Sequence, residues 1–290
     1  MKKLPAVLIL LTGFLISSCV KDDIIPSKEP VIAHYLHISH TRTNDNYEID
    51  EAASKINYSK YDMVWLGGDM EYLTSEDDYA MEYLNTIFDV GNKNTLWSIG
   101  NHDYSNIETV SRFTNRPTFY SCYKNGITFI VFDTQYDYCS ITGLQKEMFD
   151  HVTDTIEKSS HLIILHHKLI WMYANDSLDK LMETIPNAPL GDHTYNINPN
   201  NFYTAVYPKL TELKQRGIEV LCIAGDIGLK TDTFEYISPD GICFLASGIH
   251  FGYENNKALL FEHDITNKTL TWKYVLVNQL AAEDSGNPLQ

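Results

Sequence analysis

The chain has 290 residues, 44% of them hydrophobic and 21% charged, with a formal net charge of −16 at pH 7. This length and composition are ordinary for a globular protein and are sufficient for one large domain with a substantial core. The acidic balance argues against a nucleic-acid partner, because a negative field repels polyanions at long range.

The first residues have the pattern of an export signal. Lys2 and Lys3 precede an apolar run over residues 4–16, and Ser17 and Ser18 lead into Cys19. We interpret residues 1–18 as a signal peptide, and the cysteine placement resembles a bacterial lipoprotein cleavage box in which Cys19 receives the lipid. The alternative is an ordinary secretory signal with an incidental cysteine.

Residues 19–30 contain two prolines and several charges and are interpreted as a tether. Removal of residues 1–18 leaves 20 basic and 38 acidic residues, a charge of −18. Lys21, Asp22 and Asp23 resemble an acidic signal that retains lipoproteins at the outer surface. We therefore expect an exported protein that is lipid-anchored to the outer membrane, on its periplasmic or cell-surface face.

The N-terminal half of the remaining chain alternates short apolar runs with helical patterns. Ser75 and Asp78 have the spacing of a capping box before a helix that ends near Phe88. The predicted strands and helices here cover residues 30–39 (strand), 48–56 (helix), 63–66 (strand), 79–88 (helix), 96–99 (strand) and 107–113 (helix).

The second half begins with a hairpin signal, since Asn125-Gly126 separates two strand-like runs. Residues 143–158 form the clearest amphipathic helix, and Pro208 and Gly217 bound another. Residues 168–200 are rich in Pro, Gly and Asn and are interpreted as an insertion or lid. Residues 220–277 have the pattern of successive strands. We expect one domain over residues 31–277, with 278–290 as a C-terminal tail.

Helix-separated strands followed by meandering strands predict two packed sheets, with helices on the outside. Cys122, Cys139, Cys222 and Cys243 all lie in strand-like runs. In an exported protein one or two disulfides are possible, and buried free thiols are about equally compatible with the pattern.

Ligand-capable side chains follow four of the predicted strands. Asp69 follows Gly67-Gly68, Asn101-His102-Asp103 follows Gly100, His166-His167 follows residues 162–165, and Asp226 follows Gly225. Ligands in open α/β sheets bind beyond the carboxyl ends of strands. Carboxylate, amide and imidazole donors suit Mn, Fe or Zn, so we expect a shared metal site.

This ordered series resembles the calcineurin-like metallophosphoesterase superfamily over residues 31–277. The blocks of that family run Asp-x-His, Gly-Asp, Gly-Asn-His-Asp/Glu, His and Gly-His-x-His. Gly68-Asp69, Gly100-Asn101-His102-Asp103 and His166 match the middle blocks, and Thr142-Gly143-Leu144-Gln145 resembles the segment before the fourth. The resemblance implies an α/β/β/α sandwich of two mixed sheets and a two-metal site.

The first and last blocks depart from the family pattern. The first is His40-Thr41-Arg42 and the last is Gly225-Asp226-Ile227-Gly228. Carried over by position, one ion would require His40, Arg42, Asp69 and Gly228, which cannot hold it in the usual way. The other set is Asp69, Asn101, His166 and Asp226, all of them competent donors. We therefore expect one divalent ion, Mn, Fe or Zn, and no second.

The resemblance also implies roles for neighbouring residues. His102 would protonate the leaving oxygen, supported by Glu71 or Asp103 because Tyr72 stands where some family members have an aspartate. Arg42 and His40 would steer the phosphate or polarise water. His166 and His167 are both candidates for the histidine ligand; His166 is preferred because it comes first after the strand, and His167 would then support the site from behind the ligands. For Arg42 a surface ion pair, and for Asp226 a turn cap, remain the alternatives.

Two functions are compatible with the sequence. The first is metal-dependent hydrolysis of a phosphomonoester or phosphodiester, acting on a small phosphate ester or a phosphorylated glycan. The second is a catalytically impaired relative that binds phosphate or glycan at the cell surface.

Overall fold

The computed structural model describes residues 29–45, 47–188, 190–191 and 197–284. The predicted signal peptide, Cys19 and most of the tether lie outside the described residues. Within the described part, two mixed β-sheets pack face to face and helices cover both outer faces. This is the α/β/β/α architecture that the sequence predicted.

Sheet 1 has five strands in the order β11-β10-β1-β2-β3. Its strands are β1 (Ile32–Ile38), β2 (Met63–Leu66), β3 (Thr95–Trp97), β10 (Lys257–Asp264) and β11 (Thr269–Leu276). β1, β2 and β3 are parallel, whereas β10 pairs antiparallel with β1 and with β11. The carboxyl ends of the three parallel strands therefore lie at one edge.

Sheet 2 has six strands in the order β4-β5-β6-β7-β9-β8. They are β4 (Tyr120–Lys124), β5 (Ile127–Val131), β6 (His161–His166), β7 (Glu219–Ala224), β8 (Thr233–Ile237) and β9 (Cys243–Ser247). The predicted hairpin joins β4 to β5, and β5, β6, β7 and β9 are parallel. Their continuous apolar runs reflect burial on both faces.

Three apolar clusters separate the four layers. One lies between the sheets and contains Trp65, Phe129 and Phe261. The second lies outside sheet 1, and the third lies outside sheet 2. The helices are α1 (Glu51–Lys55), α2 (Asp78–Phe88), α3 (Ile107–Thr114), α4 (Gly143–Thr155), α5 (Tyr207–Gln215) and α6 (Val277–Asp284).

Two local predictions differ from the structure. The α2 N-cap is Asp77, whose side chain accepts from the Ala80 amide, while the Ser75 hydroxyl accepts from the Asn106 amide instead. Residues 277–284 form α6, and Leu280 and Ala281 are buried against sheet 1, so the chain beyond 277 is not simply a tail. Residues 285–290 lie outside the described part.

The segment predicted as an insertion or lid, 168–200, contributes to the core outside sheet 2. Short 3-10 turns span Ile170–Met172 and Asp179–Leu181, and Trp171 is fully buried and stacked on Phe244. Asn187 bonds the loop after β7 twice, through its amide to the Asp226 carbonyl and through its side chain to the Leu229 amide. Residues 189 and 192–196 lie outside the described part.

The four cysteines named above are all free thiols. Within the described residues, no helix combines the length and apolarity that crossing a bilayer requires.

Candidate metal centre

Loops from both sheets meet at the carboxyl ends of the parallel strands, and Gly225 permits this approach while Gly100 makes room within sheet 1. A Cβ placed on Gly225, after β7, would lie 2.0 Å from the Gly67 carbonyl oxygen, after β2. A Cβ on Gly100 would lie 2.2 Å from Oδ1 of Asp69. A side chain on either glycine would displace these atoms, so glycine at 225 allows the two backbones to approach and glycine at 100 leaves room for the Asp69 carboxylate.

Asp69, His167 and Asp226 form a buried cluster there. One ligand atom from each residue lies within 4.8 Å of the others, a spacing that could hold a metal ion. Nε2 of His167 is 3.5 Å from Oδ1 of Asp69 and 3.7 Å from Oδ1 of Asp226. The three residues come from the ends of β2, β6 and β7, so the centre bridges the two sheets.

The His167 ring is oriented as a ligand should be. Its Nδ1 is 2.7 Å from the Gly67 carbonyl, which can only accept, so Nδ1 carries the proton. In the neutral ring Nε2 then has a free lone pair, and it is buried without a hydrogen-bond partner among the described residues. A backbone carbonyl that fixes the tautomer in this way is typical of metal-binding histidines. The donor set therefore fits a divalent metal ion.

His166, the predicted ligand, lies elsewhere. Strand β6 extends through His166, so His166 is the last strand residue rather than the first after the strand. Alternation places it on the same side as Leu162 and Ile164, facing the outer core, where its ring packs edge-on against Trp171. Burial lowers its pKa to about 3. The structure thus brings His167, not His166, to the carboxylates.

Asn101, another predicted ligand, is bonded by a lysine that sequence reasoning overlooked. Nζ of Lys168 donates to Oδ1 of Asn101 at 2.7 Å and to Oδ2 of Asp226 at 2.9 Å. The Lys168 side chain is only 1% exposed. A lysine is almost never so deeply buried unless its charge is paired, as it is here with Asp226.

Asp103 and Glu71, the predicted supports of His102, serve the backbone instead. Asp103 accepts from the amides of Asp69, Met70 and Gly100 and from the Thr74 hydroxyl. Burial and the neighbouring Asp69 raise the pKa of Asp103. The Glu71 carboxylate accepts from the amides of Tyr47 and Leu73, and burial raises the pKa of Glu71. These carboxylates shape the loops that carry Asp69 and His102.

His102 sits at the mouth of the centre. Its amide donates to Oδ1 of Asp69 at 3.0 Å, and its ring Nδ1 lies 2.9 Å from the Tyr72 carbonyl. The carbonyl fixes the proton on Nδ1, so Nε2 is the ring nitrogen at which a second proton would bind or leave. Tyr72 thus supports the histidine through its backbone carbonyl.

Arg42 and His40 lie on the sheet 1 side. Nε of Arg42 is 3.9 Å from Oδ2 of Asp69, and the guanidinium lies over the Tyr72 ring. The buried His40 directs Nδ1 to the Ile249 carbonyl at 2.8 Å, and burial lowers its pKa to about 4. His40 and Asp69 both have positive φ, a conformation that is strained for residues other than glycine.

The charge on Asp69 is stabilised by its surroundings. Burial alone would raise the pKa of this carboxyl, but the nearby His167, His102, His40 and Lys168 hold it below its ordinary value. Asp69 is therefore ionised at neutral pH and able to bind a cation.

No family model matches the chain, and no curated protein matches it. Among solved structures it is similar to a dimetal phosphatase from Danio rerio, with a TM-score of 0.56 and 11% identity over 86% of this chain and 97% of that one. The NAD nucleotidase of Haemophilus influenzae gives a TM-score of 0.39 and 11% identity, over 86% of this chain and 51% of that one. A 5'-nucleotidase precursor from Thermus thermophilus gives a TM-score of 0.40 and 9% identity, over 88% of this chain and 58% of that one.

The chain thus spans little more than half of each nucleotidase, at scores too low to define a shared fold. The likeness to the dimetal phosphatase extends over nearly the whole of that protein. Together with the two sandwiched sheets, it shows that this chain shares the fold of that phosphatase.

Proposed function

We propose that this protein hydrolyses phosphate esters with the help of one divalent ion held by Asp69, His167 and Asp226. The observation that supports the proposal concerns Nε2 of His167, which has no hydrogen-bond partner in the described part of the chain and faces two carboxylates at 3.5 and 3.7 Å. The Gly67 carbonyl fixes the tautomer of this ring. When bound, a divalent ion supplies positive charge to a phosphoryl oxygen and lowers the pKa of a water molecule.

The surrounding residues are suited to the remaining tasks. Arg42 offers a guanidinium next to Asp69 that can bind phosphate oxygens through two parallel hydrogen bonds. His102 has its Nδ1 proton committed to the Tyr72 carbonyl, so the imidazolium, protonated at Nε2 as well, would give the Nε2 proton to the leaving oxygen and return to the neutral ring. His40 is neutral and tethered, and it helps to exclude bulk water from the sheet 1 side.

The substrates we propose are small phosphate esters or phosphorylated glycans, either monoesters or diesters. The charge of −16 supports exclusion of nucleic acid. We also propose export, cleavage before Cys19 and lipid attachment there. Detergent-phase partitioning of the expressed protein tests this: wild type should enter the detergent phase and Cys19→Ser should stay in the aqueous phase, and equal partitioning would contradict lipidation.

The enzyme proposal is tested with aryl phosphate mono- and diesters in the presence of Mn²⁺, Fe²⁺ or Zn²⁺. Asp69→Asn removes charge at the shared carboxylate and should lower turnover by about 100-fold or more. Asp154→Asn is the matched control, because it removes one carboxylate from an exposed position on α4 and should leave turnover unchanged. Undiminished turnover in a folded Asp69→Asn variant would overturn the proposal.

One observation favours a second function, binding of phosphate or glycan without turnover. The Lys168 ammonium already contacts two of the four predicted ligands, Asn101 and Asp226. On this hypothesis the protein binds inorganic phosphate but releases no aryl alcohol with any of the three ions. Turnover that disappears in Asp69→Asn would rule it out.

A further inference from the structure

We propose that Lys168 is a built-in cation that competes with the divalent ion, so that the resting centre is charge-balanced without metal and binds metal weakly. The inference rests on the proposed function, because it concerns the ion that the function requires. It goes further by assigning control of ion affinity to one residue that binds neither ion nor substrate.

Lys168 lies next to one of the carboxylates that would bind the ion. Nζ of Lys168 contacts Oδ2 of Asp226 while Oδ1 of the same carboxylate faces Nε2 of His167. The ammonium and a metal ion bound at the cluster would therefore share one carboxylate. Asn101, which could otherwise complete the donor set, has its oxygen 2.7 Å from the same ammonium.

The negative charges of the cluster are already paired with positive side chains. Two carboxylates face the cluster, and each has its own cation: Lys168 is 2.9 Å from Asp226, and Arg42 is 3.9 Å from Asp69. The nearby Asp103 has both oxygens bonded to amide or hydroxyl donors of its own loops. A divalent ion would thus enter a site whose two negative charges are already balanced, and at the low effective dielectric of a buried site each added charge matters strongly.

The Lys168 side chain is held in a buried position. A lysine is rarely so deeply buried unless its charge is paired, and the Lys168 backbone is fixed as well, since its amide donates to the Thr134 hydroxyl at 3.2 Å. The ammonium therefore cannot withdraw into solvent when an ion arrives without leaving a fully buried position. Its presence lowers ion affinity whether or not it moves.

The balance also predicts how phosphate and metal act on each other. With both carboxylates neutralised, the two extra positive charges of a divalent ion are best compensated by an anionic ligand. Inorganic phosphate should therefore increase the affinity for the ion, and the ion should increase the affinity for phosphate by the same factor.

The experiment measures Mn²⁺ binding by calorimetry to the full folded domain, with no substrate present. Lys168→Met keeps the apolar stem and removes the charge and the donors, and it should bind Mn²⁺ about tenfold or more tightly than wild type. Lys168→Arg keeps the charge and is the matched control, with affinity no higher than wild type. Added inorganic phosphate should tighten Mn²⁺ binding to wild type more than to Lys168→Met.

Thermal unfolding measurements show whether a change in Mn²⁺ affinity reflects the site or a folding defect. Lys168→Met should melt below wild type in chelator, because Asp226 and Asn101 lose their partner, and should regain stability with Mn²⁺ by more than wild type does. If Lys168→Met is too unstable to purify, Lys168→Gln is measured in the same way, with the same gain expected. Mn²⁺ affinity that stays equal or falls on removal of the lysine charge would overturn the inference.

The inference and the proposed function fail separately. Ion-dependent turnover by wild type together with unchanged Mn²⁺ affinity in the lysine variants would defeat the inference alone. Tighter Mn²⁺ binding in Lys168→Met, with no turnover in any variant, would defeat the enzyme proposal and leave the role of Lys168 standing.

Discussion

The two halves of the centre are built differently. The sheet 1 half, with Asp69 and His102, is held by hydrogen bonds from backbone amides, with Asp103 accepting from three of them. In the sheet 2 half, the amides of Gly225 and Asp226 donate to the His167 carbonyl, and the side chains of His167 and Lys168 both contact the Asp226 carboxylate. We infer that sheet 1 provides a rigid frame and that sheet 2 determines which cation occupies it.

The contact between the halves gives the largest expected effect. Gly225→Ala would place a Cβ 2.0 Å from the Gly67 carbonyl, so the loops after β2 and β7 must separate. We expect a loss of about 3 kcal/mol or more in the free energy of unfolding, measured in urea.

Gly126→Ala serves as its control. Gly126 has φ +81°, and a Cβ at this position would meet no atom within 4 Å, so only backbone strain applies and about 1 kcal/mol is expected. Equal losses in the two variants would show that the close approach of the halves is not what the glycine protects.

The alternation along β6 gives the next prediction. His167→Ala removes the ligand nitrogen and should weaken Mn²⁺ binding by roughly 100-fold. His166→Ala, one residue earlier, should leave Mn²⁺ affinity within about threefold while lowering stability, because its ring fills the outer core beside Trp171. The reverse pattern in calorimetry would restore His166 as the ligand.

His166 and His167 also show which features of the site could be predicted from the sequence. The Gly-Asn-His-Asp run after β3 identified the site because its chemistry is contiguous and follows a short buried strand. The choice between His166 and His167 depended on where β6 ends, and an error of one residue moves a side chain to the other face of a sheet.

Other features depended on contacts that no local pattern encodes. Lys168 was missed because its partners, Asn101 and Asp226, are 67 and 58 residues away along the chain. Asp103 and Glu71 were expected to support His102, but the loops folded so that their oxygens face backbone amides. The layer order of the fold was predictable, since alternating strand and helix patterns leave few arrangements.

The opposite end of β6 gives the smallest effect. His161 faces sheet 1, where its ring lies edge-on to His263, and burial and that neighbour lower its pKa to about 4. In the unfolded chain His161 binds a proton near pH 6.5, whereas in the folded chain it does so only near pH 4. Because the unfolded state binds the proton first, the free energy of unfolding decreases as the pH falls between those values.

Between pH 7.5 and 4.5 the free energy of unfolding, measured in urea, should decrease in both proteins. We expect the decrease to be about 2 kcal/mol smaller in His161→Gln than in wild type. His34→Gln, which removes a more exposed histidine from β1, is the matched control for the loss of a histidine side chain. Parallel pH profiles for wild type and His161→Gln would show that His161 does not contribute in this way.

The most direct test of the account is a crystal structure of the protein with Mn²⁺, in which anomalous scattering locates the ion. The account predicts one peak, bonded to Asp69, to Nε2 of His167 and to Asp226, with the Lys168 ammonium still next to Asp226 or displaced from it. A peak coordinated by His166, or no ion at these residues at saturating Mn²⁺, would contradict the claim that the two sheets meet to form one cation site.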